Sequence, residues 1–367
     1  MSIRPSGPAR GSARRKSIAL MLAFQVWGVT AGLGPGPTIP AAQAAEAPAR
    51  PATPGDALPN RFIIISDLHP HPNAYDQVGI LADHVIALQP AFVVVLGDIC
   101  GDAVPGVSEK EIETVREAFR RLRAAGIEIH PVMGNHDVHH RVEDLKVRWF
   151  CEQTPLPLNR LFDATANHPA YRAFMDKGPY NYAFTAGGIH FAIVDSNVDP
   201  PSDKWEQERI DKARPRWEAQ QKWMIDHFCR DTSNPEGYPT IAFLHHPEYM
   251  TGDRGMDSRP LYRVLAGCQD RQTLRAVFGG HWHYGQNWSR GQNLGADVYA
   301  TPPSVHGINS PVEFIVADVR ENRVTFEPRE TVTGQVRTGR GSVKYYPIYG
   351  QFGSLRSESR SQSEKPN

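Results

Sequence analysis

The chain has 367 residues, and its 40 lysine and arginine residues are balanced by 40 aspartate and glutamate residues. This length accommodates one large domain or two small ones. The zero net charge argues against a general nucleic-acid or acidic-surface binder, because such proteins normally carry a basic excess. A hydrophobic fraction of 40% fits an ordinary soluble core.

The N-terminal segment differs in composition from the rest of the chain. Arg14 and Arg15 belong to a basic stretch before the apolar run IALMLAFQVWGV (18–29), and the small-x-small pattern AQA follows at 42–44. The apolar run is too short to span a bilayer comfortably, which favours a secretory signal peptide at 1–44 over a membrane anchor. We therefore expect a periplasmic or secreted protein without a stable membrane anchor after cleavage. The arginine pair leaves twin-arginine export open, although the residues after the pair fit that consensus poorly.

Composition also marks the ends of the folded unit. Residues 45–59 are rich in proline and alanine and indicate a flexible lead-in, while 353–367 are mostly polar and indicate a disordered tail. The folded domain is therefore expected at 60–352. The cysteines form no CxxC or CxxxC pair, so a cysteine zinc site is not expected, while a disulfide is possible with its pairing open. These cysteines are Cys100, Cys151, Cys229 and Cys268.

Short apolar strands and amphipathic helices alternate along the first part of the domain. The pattern predicts strands at 61–66, 91–98 and 127–135 and helices at 74–90 and 108–125. This β-α-β-α-β order favours right-handed crossovers and a parallel core.

Farther along the chain the pattern is more varied, and no internal repeat is visible. The stretch YNYAFTAGGIHFAIVDSN is typical of a β-hairpin that turns at Gly187 and Gly188. Helices are predicted near 141–151, 168–177, 215–229 and 259–275, and strands at 239–245, 275–281, 297–302, 312–319 and 323–328.

Ligand-type side chains appear at five points where an apolar run stops. The stretches are SDLH (66–69), GDIC (97–100), GNHD (134–137), LHHP (244–247) and GHWH (280–283). Sites in open α/β sheets form at the carboxyl ends of strands, so residues far apart in sequence can meet in one crevice. One such stretch could be an ordinary polar loop, but five in this arrangement favour a common site.

The residue types in these stretches favour metal binding through oxygen and nitrogen. Asp, Asn and His side chains suit Mn, Fe, Zn or a mixed pair better than a thiolate-only zinc site. A carboxylate such as Asp98 can bridge two cations. Two metals about 3.5–4 Å apart clamp a phosphate and activate a bridging water.

Taken in order, the blocks D-x-H, GD, GNHD, H and GHxH at 63–283 resemble those of the calcineurin-like metallophosphoesterase superfamily. The resemblance implies an α/β fold, namely a four-layer α/β/β/α metallophosphoesterase sandwich with two mixed β-sheets. It also implies two divalent or trivalent metal ions, Mn, Fe or Zn, among which the ligand types do not distinguish.

The resemblance implies roles for individual residues. Seven metal ligands are expected, with Asp67, His69 and His283 on the first ion, Asp98 between the ions, and Asn135, His245 and His281 on the second. His136 is expected over the substrate, as an electrostatic stabiliser or a general acid to the leaving oxygen. Asp137 is expected to support catalysis by orienting the loop. His246 is expected near the site without binding metal, with an exchange of roles with His245 left open.

The reaction that the family implies is in-line attack on phosphorus by a metal-bridging hydroxide. Gly101 stands where purple acid phosphatases place an iron-binding tyrosine, and the arginine-rich signature of serine/threonine protein phosphatases is missing. The remaining pattern resembles the bacterial phosphodiesterase-like branch, so we expect an exported hydrolase of small phosphodiesters. The alternatives are a phosphomonoesterase, a nuclease or lipid phosphodiesterase on the same site, and a non-catalytic metal-binding protein. Balanced charge argues against the nuclease, which needs a basic groove.

The residues that select the substrate are harder to identify. Candidates near the ligand blocks or strand ends are Asn197, Tyr249, Trp282, Tyr284 and His306. The insert at 141–180 is interpreted either as a cap over the crevice or as an addition to the sheet edge. His71 is interpreted as a loop histidine, with a position facing the pocket left as the alternative. His139 and His140 are interpreted as surface or rim residues, and the oligomeric state is left open.

Overall fold

The computed structural model describes the greater part of the predicted domain. The described residues are 60–101, 109–137, 181–198, 201, 205–247, 260–287, 295–305, 312–320, 323–338, 345 and 347–349. They all belong to one compact unit, Pro51–Asn367. The predicted signal peptide, lead-in, tail, insert and helices near 141–151 and 168–177 lie outside the described residues.

The described residues form twelve strands and four helices, with two short 3-10 turns at Pro72–Ala74 and Gln269–Arg271. The helices are α1 (Tyr75–Leu88), α2 (Glu109–Ala124), α3 (Gln207–Phe228) and α4 (Pro260–Cys268). The strands are β1 (Arg61–Ile65), β2 (Phe92–Val95), β3 (Glu128–Pro131), β4 (Tyr182–Ala186), β5 (Ile189–Ile193), β6 (Thr240–Phe243), β7 (Leu274–Gly279), β8 (Gln286–Asn287), β9 (Asp297–Ala300), β10 (Glu313–Arg320), β11 (Arg323–Glu330) and β12 (Ile348–Tyr349).

The first sheet has the strand order β12-β11-β10-β1-β2-β3. Strands β1, β2 and β3 are parallel, as the alternating pattern predicts, so their carboxyl ends lie at one edge. Strand β10 pairs antiparallel with β1, which makes the sheet mixed. The sequences RFIII and FVVV explain why β1 and β2 are central, because aromatic and β-branched residues suit strands that are covered on both faces.

The second sheet has the strand order β4-β5-β6-β7-β9-β8. Its four central strands are parallel, while β4 and β8 pair antiparallel at the two edges. Gly187 and Gly188 join β4 to β5 with φ angles of 58° and 71°. A two-residue type I′ turn requires a positive φ at both positions, which glycine adopts without steric cost. The predicted hairpin is confirmed.

The two sheets pack face to face through aromatic side chains. The ring centroid of Phe62 lies 5.4 Å from that of Phe191 and 6.3 Å from that of Phe243. Side chains alternate along β6, so Phe243 enters this shared core while Ala242 faces a second core with Trp217 of α3. Helices α1 and α2 pack their apolar sides against the first sheet. The predicted α/β/β/α arrangement with two mixed sheets is confirmed.

Two helix predictions are wrong at their ends. Helix α3 begins at Gln207, before the predicted position 215, and Pro215 lies inside it. Its first turns are mostly exposed, so they carry no apolar stripe that a sequence pattern reveals. Helix α4 ends at Cys268, well before the predicted position 275, because the residues after it pair with β6 as β7. Although α3 has 22 residues, no helix in the described part of the chain is long and apolar enough to cross a membrane.

Candidate metal centre

The ligand stretches lie in loops that follow strands of both sheets. The loops after β1 and β2 are joined where the N–H of His69 donates to the carbonyl oxygen of Asp98 at 3.0 Å. The loops after β6 and β7 are joined where the N–H of Gly280 donates to the carbonyl oxygen of His245 at 2.9 Å. The strand ends therefore bring these loops together, as the sequence predicts.

Four residues of these loops have an uncommon backbone conformation. The φ angles of Asp67, Asp98, His281 and His283 are 48°, 49°, 68° and 53°. Among the described residues, the one other non-glycine residue with positive φ is Gln89, at the carboxyl end of α1. Such conformations are unfavourable for residues with a Cβ, and they concentrate at functional sites. The fold thus holds these four side chains in place at a local conformational cost.

The first ligand group consists of Asp67, His69, Asp98 and His283, whose potential ligand atoms all lie within 4.8 Å of one another. The Nε2 atoms of His69 and His283 are 3.2 Å apart. The Nε2 atom of His283 lies 3.4 Å from Oδ1 of Asp67. These donors therefore converge on one small volume.

The second ligand group consists of His245, His246 and His281, again with potential ligand atoms within 4.8 Å. The side-chain oxygen of Asn135 lies 3.0 Å from Nε2 of His245 and 3.0 Å from Nδ1 of His281. Asn135 therefore lies with this group, where the sequence places it.

Asp98 contacts both groups. It belongs to the first group, and its Oδ2 lies 3.1 Å from Nε2 of His245 in the second. Its other oxygen accepts the backbone N–H of His136 at 2.9 Å. This is the position that a bridging carboxylate requires.

The charges of the two groups explain why this volume attracts a cation. Asp67 and Asp98 are 0% and 1% exposed, and a buried carboxylate needs a compensating positive charge. Burial alone would raise the pKa of Asp98, but the neighbouring His245 lowers it below its ordinary value. Burial alone would lower the pKa of His245, but Asp98 raises it to about 10. A metal ion would replace the proton on this imidazole and supply the same positive charge.

The hydrogen bond of His245 also orients it as a ligand. Its Nδ1 lies 2.7 Å from the carbonyl oxygen of Leu96, which only accepts, so Nδ1 carries a hydrogen and Nε2 is the nitrogen that a metal ion would bind in place of its proton. The nitrogen and oxygen donors present fit a pair of Mn, Fe or Zn ions. Asp67, His69 and His283 would hold one ion, Asn135, His245 and His281 the other, with Asp98 between them.

His136 lies at the open side of the centre. Its Nε2 is 3.9 Å from Oδ2 of Asp98, and its ring centroid is 5.6 Å from that of His69. The side chain is 36% exposed, whereas that of Asp98 is 2% exposed. His136 is therefore accessible to a bound substrate, and its catalytic role stays a prediction.

Asp137 is fully buried and joins two loops. Its Oδ1 accepts the N–H of Ile99 and its Oδ2 accepts the N–H of Gly134, both at 2.9 Å. Burial and the charge of Asp98 raise the pKa of Asp137 to about 7, and the two N–H donors oppose that shift. Its contacts suit the loop-orienting role, not contact with substrate.

We expect Asp137→Asn to destabilise the protein by about 1–3 kcal/mol, because an amide NH₂ would face one of two buried N–H donors. Thermal unfolding of the metal-free variant measures this change. Asp318→Asn, at a partly exposed ion pair with Arg61, is the control and should change stability by less than about 1 kcal/mol. Equal losses in the two variants would contradict the structural role of Asp137.

Two glycines leave room for the carboxylates. A Cβ on Gly134 would overlap the backbone nitrogen and Oδ1 of Asp98, and a Cβ on Gly280 would overlap Ser66 and Asp67. The first residue of GNH and of GHxH must therefore be glycine, because a side chain there would collide with Asp98 or Asp67.

We expect Gly134→Ala to lower metal content and activity together, because the new methyl group displaces Asp98. Metal content per chain, measured after gel filtration, tests this. Gly267→Ala is the matched control, since a Cβ on that helical glycine has open space around it. The control should keep its metals and gain up to about 1 kcal/mol of stability. Full metal content in Gly134→Ala would show that the loop adapts.

The structure describes some of the candidates for substrate selection and one of the three loop or rim histidines. The amide nitrogen of Asn197 donates to Asp195 at 3.0 Å and to the carbonyl oxygen of Met133 at 3.2 Å, so it joins the ends of β5 and β3. Trp282 packs against the second core, while Tyr284 is 40% exposed with its ring 5.8 Å from that of Trp282. His71 is exposed. Tyr249, His306, His139 and His140 lie outside the described residues.

Sequence reasoning missed the contribution of Ser196. It follows β5 in the stretch DSN, and its hydroxyl contacts the backbone of both His245 and His246. The available signal was that DSN is a further polar stretch at a strand end, as are the five ligand stretches. Serine is also common in loops, so the sequence did not set it apart.

The structure also decides part of the cysteine pairing. Cys229 and Cys268 form a disulfide that joins the carboxyl ends of α3 and α4. Cys100 is buried two residues after Asp98 in the chain, and Cys151 lies outside the described residues.

Comparisons with known proteins agree with this fold and site. The profile of the family described as calcineurin-like phosphoesterase matches residues 60–285. Purple acid phosphatase 23 of Arabidopsis thaliana is 23% identical over 274 residues, which cover 67% of this chain and 52% of that protein. The chain thus spans about half the length of that relative.

A solved structure extends the comparison to the fold. The crystal structure of a dimetal phosphatase from Danio rerio aligns with a TM-score of 0.52 and 17% identity, covering 76% of this chain and 98% of that chain. At this identity the likeness concerns the fold alone. With the family match, the two mixed sheets and the two ligand groups in agreement, the chain belongs to the calcineurin-like phosphoesterase family.

Proposed function

We propose that this protein is an exported, metal-dependent hydrolase of small phosphodiesters. The observation that carries the proposal is the position of Asp98, which belongs to the first ligand group and lies 3.1 Å from His245 in the second. Two ions held by these groups would supply Lewis-acid polarisation of a phosphoryl group and would lower the pKa of bound water towards neutrality.

The protein's own side chains then have separate tasks in this proposal. His136 lies over Asp98 on the open side, so it donates a hydrogen bond or a proton to the leaving oxygen. Asp137 keeps the loop of His136 in place by accepting two backbone N–H groups. No serine or cysteine nucleophile is required.

Two observations support a small diester as substrate. Gly101 stands at the position of the iron-binding tyrosine of purple acid phosphatases, and its N–H donates to Glu111. The zero net charge also supports a small substrate over a nucleic acid, which normally binds a basic surface.

Two further observations support export to the periplasm or the medium. The sequence at 1–44 has the basic, apolar and small-residue regions of a signal peptide. The disulfide between Cys229 and Cys268 suits an oxidising compartment, since such bonds are rare in the cytosol. The proposed partner is a small phosphate ester.

A phosphomonoesterase is the second candidate. The sequence match to a protein named purple acid phosphatase favours it. The ligand groups do not distinguish a monoester from a diester, because both present the same phosphoryl oxygens.

A paired assay tests the proposal. The protein from residue 45 to 367 is loaded in turn with Mn, Zn and Fe, and given bis(p-nitrophenyl) phosphate or p-nitrophenyl phosphate. Metal-dependent turnover with a higher kcat/KM for the diester is the expected result. A preference for the monoester would favour the second candidate. Absence of turnover despite two bound ions would indicate a non-catalytic metal-binding protein.

A further inference from the structure

Ser196 determines the hydrogen-bonding state of one histidine in the second ligand group. Its Oγ lies 3.2 Å from the backbone nitrogen of His245, 3.0 Å from that of His246, and 2.9 Å from Nδ1 of His246. The two backbone N–H groups only donate, so they occupy both lone pairs of the hydroxyl oxygen. The O–H of Ser196 therefore donates to Nδ1 of His246.

The two adjacent histidines thus use Nδ1 in opposite ways: one accepts a hydrogen bond there and the other donates. His246 accepts a hydrogen bond at Nδ1, so its neutral ring carries the hydrogen on Nε2. His245 donates from Nδ1 to Leu96, so Nε2 is the nitrogen that a metal ion would bind in place of its proton. A neutral imidazole binds a metal through the nitrogen that lacks a hydrogen. In His246 that nitrogen is engaged by Ser196, which is 4% exposed.

The ring of His246 nevertheless lies beside the metal ligands. Its centroid is 4.5 Å from that of His281 and 4.8 Å from that of His245. One of its ring nitrogens lies within 4.8 Å of the potential ligand atoms of both. An imidazole held here with its hydrogen on Nε2 is an N–H donor beside the second ligand group, and such a donor suits an anionic oxygen.

We propose that His246 binds no metal and instead donates its Nε2–H to a phosphoryl oxygen of the substrate, with Ser196 as the positioning residue that sets its tautomer. This inference rests on the proposed function, because it requires a phosphate ester or phosphate at the centre. It assigns a role to the second histidine of HHP, and it gives the site a phosphoryl-binding donor besides His136.

The first test compares His246→Ala with His246→Gln in the zinc-loaded protein. Both variants should keep two zinc ions per chain. His246→Ala should weaken inhibition by inorganic phosphate by about ten- to a hundredfold, as expected for loss of one hydrogen bond to a charged group. His246→Gln should recover most of this loss, because its amide N–H lies near the position of Nε2. His71→Ala, at an exposed loop histidine, is the control and should bind phosphate as the unchanged protein does.

The second test observes the tautomer directly. In ¹⁵N-labelled protein, histidine correlation spectra should show His246 with its hydrogen on Nε2 and metal-free His245 with a hydrogen on Nδ1. Ser196→Ala should give a mixture of His246 tautomers and weaker phosphate inhibition at unchanged zinc content. A purely structural role of Ser196 would leave the tautomer unchanged.

These measurements separate failure of this inference from failure of the proposed function. One zinc ion in His246→Ala, or a hydrogen on Nδ1 of His246 in the unchanged protein, would overturn the inference. Unchanged phosphate inhibition in His246→Ala would also overturn it, even if ester hydrolysis is observed. If no ester is hydrolysed, phosphate binding measured by calorimetry still tests the contact of His246, while the proposed function fails independently.

Discussion

Asp98→Asn is expected to remove at least one metal ion and to lower phosphoesterase activity by more than a hundredfold. Even residues that only support a metal ligand cost about 10–100-fold when they are changed, and Asp98 contacts both ligand groups directly. Asparagine keeps an oxygen that accepts the N–H of His136 but loses the negative charge that holds two cations.

Metal content and kcat/KM are measured on the same preparation, so that loss of metal and loss of rate are compared directly. The melting temperature of the metal-free variant shows whether the fold is intact. Asp226→Asn applies the same change to a carboxylate that pairs with Lys222 on the surface of α3, and it should leave both quantities unchanged. Normal activity in Asp98→Asn would rule out the bridging assignment.

His136→Ala is expected to keep two metal ions and to lose activity mainly on esters with poor leaving groups. A positioned general acid contributes about 10²–10⁴-fold, and a good leaving group needs little of that help. The exposure of His136 and its distance of 3.9 Å from Asp98 place it over the centre without making it a ligand.

The measurement is kcat/KM for a series of aryl and alkyl phosphate esters, plotted against the pKa of the leaving alcohol. The slope should become steeper in His136→Ala than in the unchanged protein. A parallel line, with equal losses for good and poor leaving groups, would favour a purely electrostatic role. His71→Ala serves again as the exposed histidine control.

The sequence by itself determined the fold class and the identity of the ligand-type residues. Runs such as FIII (62–65) and FVVV (92–95) have no polar positions, so they specify buried parallel strands, and the residues that follow them must lie at the carboxyl edge. The glycine pair at 187–188 determined the hairpin for an equally local reason. Local patterns failed at the exposed start of α3, where no apolar stripe is present.

Only the tertiary structure decided which oxygen and nitrogen donors lie close together and which hydrogen bonds their histidine rings make. The 3.1 Å approach of Asp98 to His245 depends on packing one sheet against the other, because the two residues follow strands of different sheets. The pairing of Cys229 with Cys268 likewise depends on where α3 and α4 end. The adjacent histidines at 245 and 246 are chemically identical in sequence. Their hydrogen-bonding states differ because Leu96 accepts a hydrogen bond from Nδ1 of one and Ser196 donates a hydrogen bond to Nδ1 of the other, and both partners follow strands that are distant in sequence.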